Sequence, residues 1–230
     1  MNDLTSFIKN ELKNRGANLV GIGDLSELPS DERSNLPLGI CVALKYPQEI
    51  IEGIADLPTP EYRVWYNKLN EQLDDLVVFG AEILKKKGYA AIGKTREHVG
   101  HGDTELKTLL PHKTVATRAG LGWIGKCALM VTEEYGSMLR ISVILTDAPL
   151  ETATPIDQSR CGECMVCTEA CPAEAVSGKL YEAGMRRDDF FNAAKCQITA
   201  RERSVKGFGG GDTICGKCIE VCPYTRRSWK

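Results

Sequence analysis

Histidine is scarce in this chain, with three among 230 residues, scattered at 98, 101 and 112. That spread argues against a histidine-built metal centre. No stretch approaches the roughly 18 consecutive apolar residues that a membrane span needs, and the first 15 residues lack the apolar run of a signal peptide. A cytoplasmic location is therefore expected. Charge of one sign is also lacking: 29 Lys and Arg stand against 31 Asp and Glu, leaving a net charge of -2. Nucleic-acid binders are expected to be basic, so nucleic acid is not expected as a partner.

Cysteine, by contrast, is abundant. There are ten, and eight lie between Cys161 and Cys222. In a reducing compartment such clustering points to metal rather than disulfides. Cys161, Cys164, Cys167 and Cys171 follow C-x2-C-x2-C-x3-C with Pro172 next, the run that binds [4Fe–4S] clusters in bacterial ferredoxins. Zinc sites also use C-x2-C pairs, but in two pairs rather than this run. A second set, Cys215, Cys218 and Cys222, is followed by Pro223, and Cys196 is the available fourth ligand if the glycines at 207–211 let the loop fold back. The expected division is Cys161, Cys164, Cys167 and Cys222 on one cluster, and Cys171, Cys196, Cys215 and Cys218 on the other. Pro172 suits a helix start after Cys171. Cys41 and Cys127, in apolar surroundings, are expected to pack as small hydrophobes, with Cys127 a candidate for cofactor contact.

The polar segment Thr152–Gln158 interrupts the periodic pattern and divides the chain into 1–150, an α/β (α+β) domain with a mixed sheet, and 151–230, a two-[4Fe–4S] ferredoxin-like module. In the first part Leu4, Phe7, Ile8 and Leu12 predict an amphipathic helix ending at Gly16. Strands are expected at 17–22, 38–44 and 89–92. A helix over 61–87 should bury Leu69, Leu73, Leu76, Val77, Ile83 and Leu84 and stop at Gly88. A second helix is expected over 104–118, broken or restarted at Pro111, and a hairpin should join 129–132 to 139–146.

Gly120-Leu-Gly-Trp-Ile-Gly125-Lys126 satisfies both G-x-G-x-x-G and G-x4-G-K. Both readings need a strand before and a helix after, and the order here is reversed. What the glycines offer is close backbone approach, either to a flat or phosphorylated group or in a plain turn.

Thr117-Arg-Ala-Gly-Leu-Gly-Trp-Ile-Gly-Lys126, Leu145-Thr-Asp-Ala-Pro-Leu150 and the double cysteine runs together resemble the epoxyqueuosine reductase and reductive dehalogenase superfamily. The resemblance implies a cobalamin bound base-off in the α/β domain, reduced through two [4Fe–4S] clusters. It assigns Gly120, Gly122, Trp123, Gly125 and Lys126 as corrinoid contacts. The histidine-bearing motif D-x-H-x-x-G is absent, in keeping with a base-off mode.

An acid-bearing segment like Asp-Ser-Ala-Pro-Val, which the epoxyqueuosine enzymes carry before the glycine motif, is not present, nor is a helical-repeat extension before Lys230. These departures put tRNA epoxyqueuosine reduction behind reduction of a small organic substrate, with a non-enzymatic electron carrier or reductive activator as the alternative. Tyr62, Tyr66, His98, His101, Asp103 and His112 are available to move a proton, and Tyr66, Asp103 and His112 are the expected catalytic residues. A low-potential donor of ferredoxin or flavodoxin type is the expected partner.

Overall fold

Ile8 and Leu12 are buried on one side of the first helix, α1 (Asp3–Asn14), together with Thr5, while Phe7 stays partly in solvent. The helix ends as expected, at Gly16 with φ of +111°. The computed structural model that shows this describes residues 3–98, 106 and 108–229. After α1 come β1 (Leu19–Asp24), β2 (Leu38–Lys45), α2 (Gln48–Glu52), α3 (Pro60–Lys86), β3 (Ala91–Lys94) and α4 (His112–Arg118). Then follow β4 (Trp123–Ile124), β5 (Met130–Val131), β6 (Leu139–Thr146), α5 (Val166–Glu169), α6 (Ala193–Phe208), α7 (Lys217–Glu220) and α8 (Pro223–Arg227).

Two compact units emerge. One takes the chain up to Leu44, then Leu69–Gly122 and Arg140–Ile156; the other takes Lys45–Lys68, Trp123–Leu139 and the chain from Asp157. The cysteine-bearing unit is therefore wider than the expected 151–230, because it draws in 45–68 and 123–139. Among the described residues no helix is long and apolar enough to cross a membrane.

The first unit is built on a four-stranded sheet of order β1-β2-β6-β3. β1 pairs antiparallel with β2, and β3 antiparallel with β6. Six consecutive residues of β2 are buried, as in a strand covered on both faces. α3 buries Leu69, Leu73, Leu76, Val77 and Leu84 and stops at Gly88, φ +90°; Ile83 is only half-buried.

Two glycines bring α4 down onto the sheet. A Cβ at Gly21 would lie 2.6 Å from the Ala119 carbonyl oxygen, and one at Gly23 would lie 2.6 Å from the Arg118 carbonyl carbon. Both obstacles are backbone, so neither can swing aside.

The expected hairpin is not formed. β5 pairs with β4, and β6 pairs with β3. The turn at 133–135 exists, closed by a Thr132–Gly136 bridge, but it leads onto α8: the Ser137 N–H donates to Thr225 Oγ1 at 3.1 Å, and the bare α-carbon of Gly136 sits against Thr225. The helix expected over 104–118 is described only as α4, starting after Pro111; residues 99–105 and 107 lie outside the described residues.

In the second unit Ile124, Ala128 and Phe190 form a buried cluster with Tyr181, Met185 and Phe191 packed on it. Asn192 caps α6, its side chain accepting from the Lys195 N–H at 3.0 Å. The Ser204 hydroxyl donates to the Ile214 carbonyl at 2.8 Å, tying α6 to the segment before Cys215.

Replacing Gly23 with Ala should destabilise the protein by at least about 2 kcal/mol, since the added methyl meets backbone rather than a movable side chain. Urea denaturation checks this; an unchanged midpoint would mean that α4 does not rest on β1.

Candidate metal centre

The first C-x2-C turn of each run places a glycine straight after its first cysteine. Gly162 has φ of +52° and Gly216 has φ of +75°. That left-handed conformation, costly for any side chain, lets the chain curl so that successive thiols face inward. At Gly216 a Cβ would also strike Ile54 Cδ1, at 2.3 Å.

The curls converge. Cys161, Cys164, Cys167 and Cys222 line one pocket, and Cys222 is close enough to Cys161 to feel its charge. Cys196, in the first turn of α6, is likewise near Cys215 and Cys171; burial first, then those neighbours, push its thiol up to about 11. Cys218 also reaches the first pocket. Every cysteine of the two runs is partly buried and none is in a disulfide. A wholly thiol donor set in two groups suits iron–sulfur clusters, which take thiolate ligands. Pro223 starts α8 directly after Cys222. Pro172 does not head a helix as expected: the chain makes a turn there, and the Ala175 N–H donates to Cys171 Sγ at 3.4 Å.

Cys41 and Cys127 are both buried. Burial pushes the Cys41 thiol up to about 12, so it is an inert core group. Cys127 lies in the cysteine pocket, beside Cys167 and Cys218.

The glycine motif is split between the units after Gly122. Its second half turns to the cysteines rather than to an open surface. Trp123 is 0% exposed, with Tyr224 edge-on at 4.9 Å. A Cβ at Gly125 would meet Val131 Cγ2 at 2.8 Å and Cys161 Sγ at 3.6 Å. Lys126 is 3% exposed and donates to the Cys164 carbonyl at 3.0 Å. In the first half Gly122 is buried, and a Cβ at Gly120, φ +66°, would lie 2.9 Å from the Thr154 carbonyl oxygen. Trp123, Gly125 and Lys126 therefore turn toward the protein's own side chains and the first cysteine loop.

The expected catalytic residues fall on separate parts of the chain. Asp103 and His101 lie outside the described residues, Tyr66 is half-buried on the part of α3 in the second unit, and His112 opens α4 in the first. His112 Nδ1 is 3.2 Å from the Ile141 carbonyl, which can only accept, so Nδ1 carries the hydrogen. Burial lowers the His112 pKa, with Arg140 and Lys94 adding to the fall. Its neutral imidazole form is thereby favoured.

The family model described as the 4Fe-4S double cluster binding domain matches residues 160–225. The epoxyqueuosine reductase of Cyclobacterium marinum is 31% identical over 201 residues, covering 79% of this chain and 62% of that protein. The chain spans roughly a third to two thirds of the length of the curated relatives it matches. An epoxyqueuosine reductase solved with an epoxyqueuosine-modified tRNA-Tyr stem loop has a TM-score of 0.64 and 21% identity, over 97% of this chain and 65% of that one. A reductive dehalogenase studied for B12-dependent dehalogenation has a TM-score of 0.69 and 18% identity, over 96% and 33%.

These findings support the superfamily that the motifs resemble. They overturn two expectations. The expectation of a small organic substrate runs against relatives named as epoxyqueuosine reductases, and the exclusion of nucleic acid runs against a relative solved with a tRNA stem loop. A net charge of -2 describes the whole chain, whereas phosphate contacts need only local basic groups.

Substituting Cys164 or Cys222 with Ser should cut bound iron from about eight to about four per chain, while Cys41→Ala should leave it whole; iron analysis after anaerobic reconstitution decides. Because folding lowers the His112 pKa, its stabilising contribution is present above about pH 6.5 and is lost as pH falls through the folded value. The unfolding midpoint of the wild type should therefore drop below pH 6.5 faster than that of His112→Gln; parallel curves would refute this.

Proposed function

We propose, for this relative of the epoxyqueuosine reductases and reductive dehalogenases, that the chain is a two-cluster iron–sulfur reductase of the epoxyqueuosine reductase kind, acting on a modified nucleoside carried by tRNA. The observation that carries the redox part is the convergence of Cys161, Cys164, Cys167 and Cys222 on one pocket, with Cys171, Cys196 and Cys215 grouped separately. The eight cysteines of the two runs hold the clusters. When bound, each cluster takes up and gives up one electron at a time.

Reducing an epoxide consumes two electrons and two protons, so paired one-electron centres match the demand. A low-potential carrier of ferredoxin or flavodoxin type supplies the electrons. The chain's own residues shield the thiols from water: Gly125, Val131 and Tyr224 line the first thiol pocket. Shielding of this kind, with hydrogen bonds to the sulfurs, is what sets a cluster's potential. Cobalamin is suggested by the reductive dehalogenase likeness, and no step is routed through it.

The substrate part rests on the 31% identity with an epoxyqueuosine reductase over most of this chain. The test is single-turnover reduction of an epoxyqueuosine-bearing tRNA stem loop by the anaerobically reconstituted, prereduced chain, read by nucleoside mass spectrometry, with cobalt and iron measured on the same sample. Conversion to the reduced nucleoside is expected, with at least a tenfold loss in Cys164→Ser. No conversion by protein holding about eight irons, with and without added cobalamin, would reject this substrate.

A further inference from the structure

Lys126 is nearly out of reach of water and its amine is not paired with any carboxylate among the described ion pairs. Two of its three donor positions are taken by neutral acceptors, the Cys164 carbonyl at 3.0 Å and Met165 Sδ at 3.4 Å. Both acceptors belong to the first cysteine loop. A buried ammonium is costly unless an anion stands near it. The anion is supplied by what the thiols hold, since Lys126 lines the same pocket as Cys161, Cys164, Cys167 and Cys222.

Of the other thiol set only Cys218 also lines that pocket; Cys171, Cys196 and Cys215 do not. In the first pocket Lys126 acts on the charge of Cys167. The two thiol sets are thus alike in ligands and unlike in their closeness to Lys126, which shares a pocket with all four thiols of the first and one of the second.

We infer that Lys126 separates the potentials of the two clusters, its buried ammonium holding the cluster of Cys161, Cys164, Cys167 and Cys222 above that of Cys171, Cys196, Cys215 and Cys218. Adding an electron makes a thiolate-bound cluster more anionic, and a fixed positive charge in a low-dielectric pocket stabilises the reduced form. Each transferred electron therefore comes to rest on the Lys126-flanked cluster, oxidising the other by one electron. Lys126 is a positioning residue for charge, not a ligand.

This inference rests on the two-cluster reading. The experiment is an EPR-monitored redox titration of the full, reconstituted chain as wild type, Lys126→Met and Lys126→Arg, with iron analysis on each. Two resolved midpoints are expected in the wild type. Lys126→Met should lower the higher midpoint toward the lower one and shift the lower one less; Lys126→Arg, which keeps the charge, should retain the separation. A single unsplit midpoint in iron-replete wild type, or iron-replete Lys126→Met with both midpoints unmoved, overturns the inference. If Lys126→Met does not assemble, the wild-type splitting and its survival in Lys126→Arg decide. Absence of iron from the wild type would instead sink the two-cluster reading itself.

Discussion

Four thiolates brought together repel one another, and bringing them together is the constraint around which the second unit is organised. Nothing in the local backbone favours that convergence except the left-handed glycines at 162 and 216. The rest is imposed from a distance: α6 is capped by Asn192 so that Cys196 falls in its first turn, and Ser204 holds the approach to Cys215. The Lys217–Glu220 pair and Arg226 brace the segment between Cys218 and Cys222, and together they hold the Glu220 carboxyl below its usual range against the burial that would raise it. Lys217 also donates to the Ala55 carbonyl at 2.7 Å, which ties this segment to the chain following α2.

The first unit depends on close packing rather than charge. Its sheet is covered by helices that approach through glycine: Gly21 and Gly23 under the end of α4, and Gly93, whose missing Cβ would lie 2.5 Å from the Val77 carbonyl oxygen, under α3. Thr5 reaches the far end of the unit by accepting the Glu151 N–H at 2.8 Å. Such contacts leave little tolerance for added volume.

What could be read from residues alone was what spacing determines. The cysteine runs, the stops at Gly16 and Gly88 and the buried face of α3 all follow from local periodicity or from the chemistry of one residue type. The hairpin was misread because β5 is two residues long, and a strand that short takes its partner from tertiary packing, here β4. The direction of the glycine motif was illegible for a different reason. A linear pattern carries no direction, so it does not tell that Trp123 and Lys126 turn inward, or that the chain leaves one compact unit for the other between Gly122 and Trp123. The nucleic-acid exclusion failed because an average over 230 residues says nothing about a patch.

Neither unit is a continuous stretch. The second is assembled from three pieces, and α3, 27 residues long, begins in one unit and ends in the other. No single cut in the chain releases either unit intact. A module of this kind cannot be passed between genes by simple end-to-end fusion, as a self-contained ferredoxin could be, so its two halves must be inherited together and altered in step.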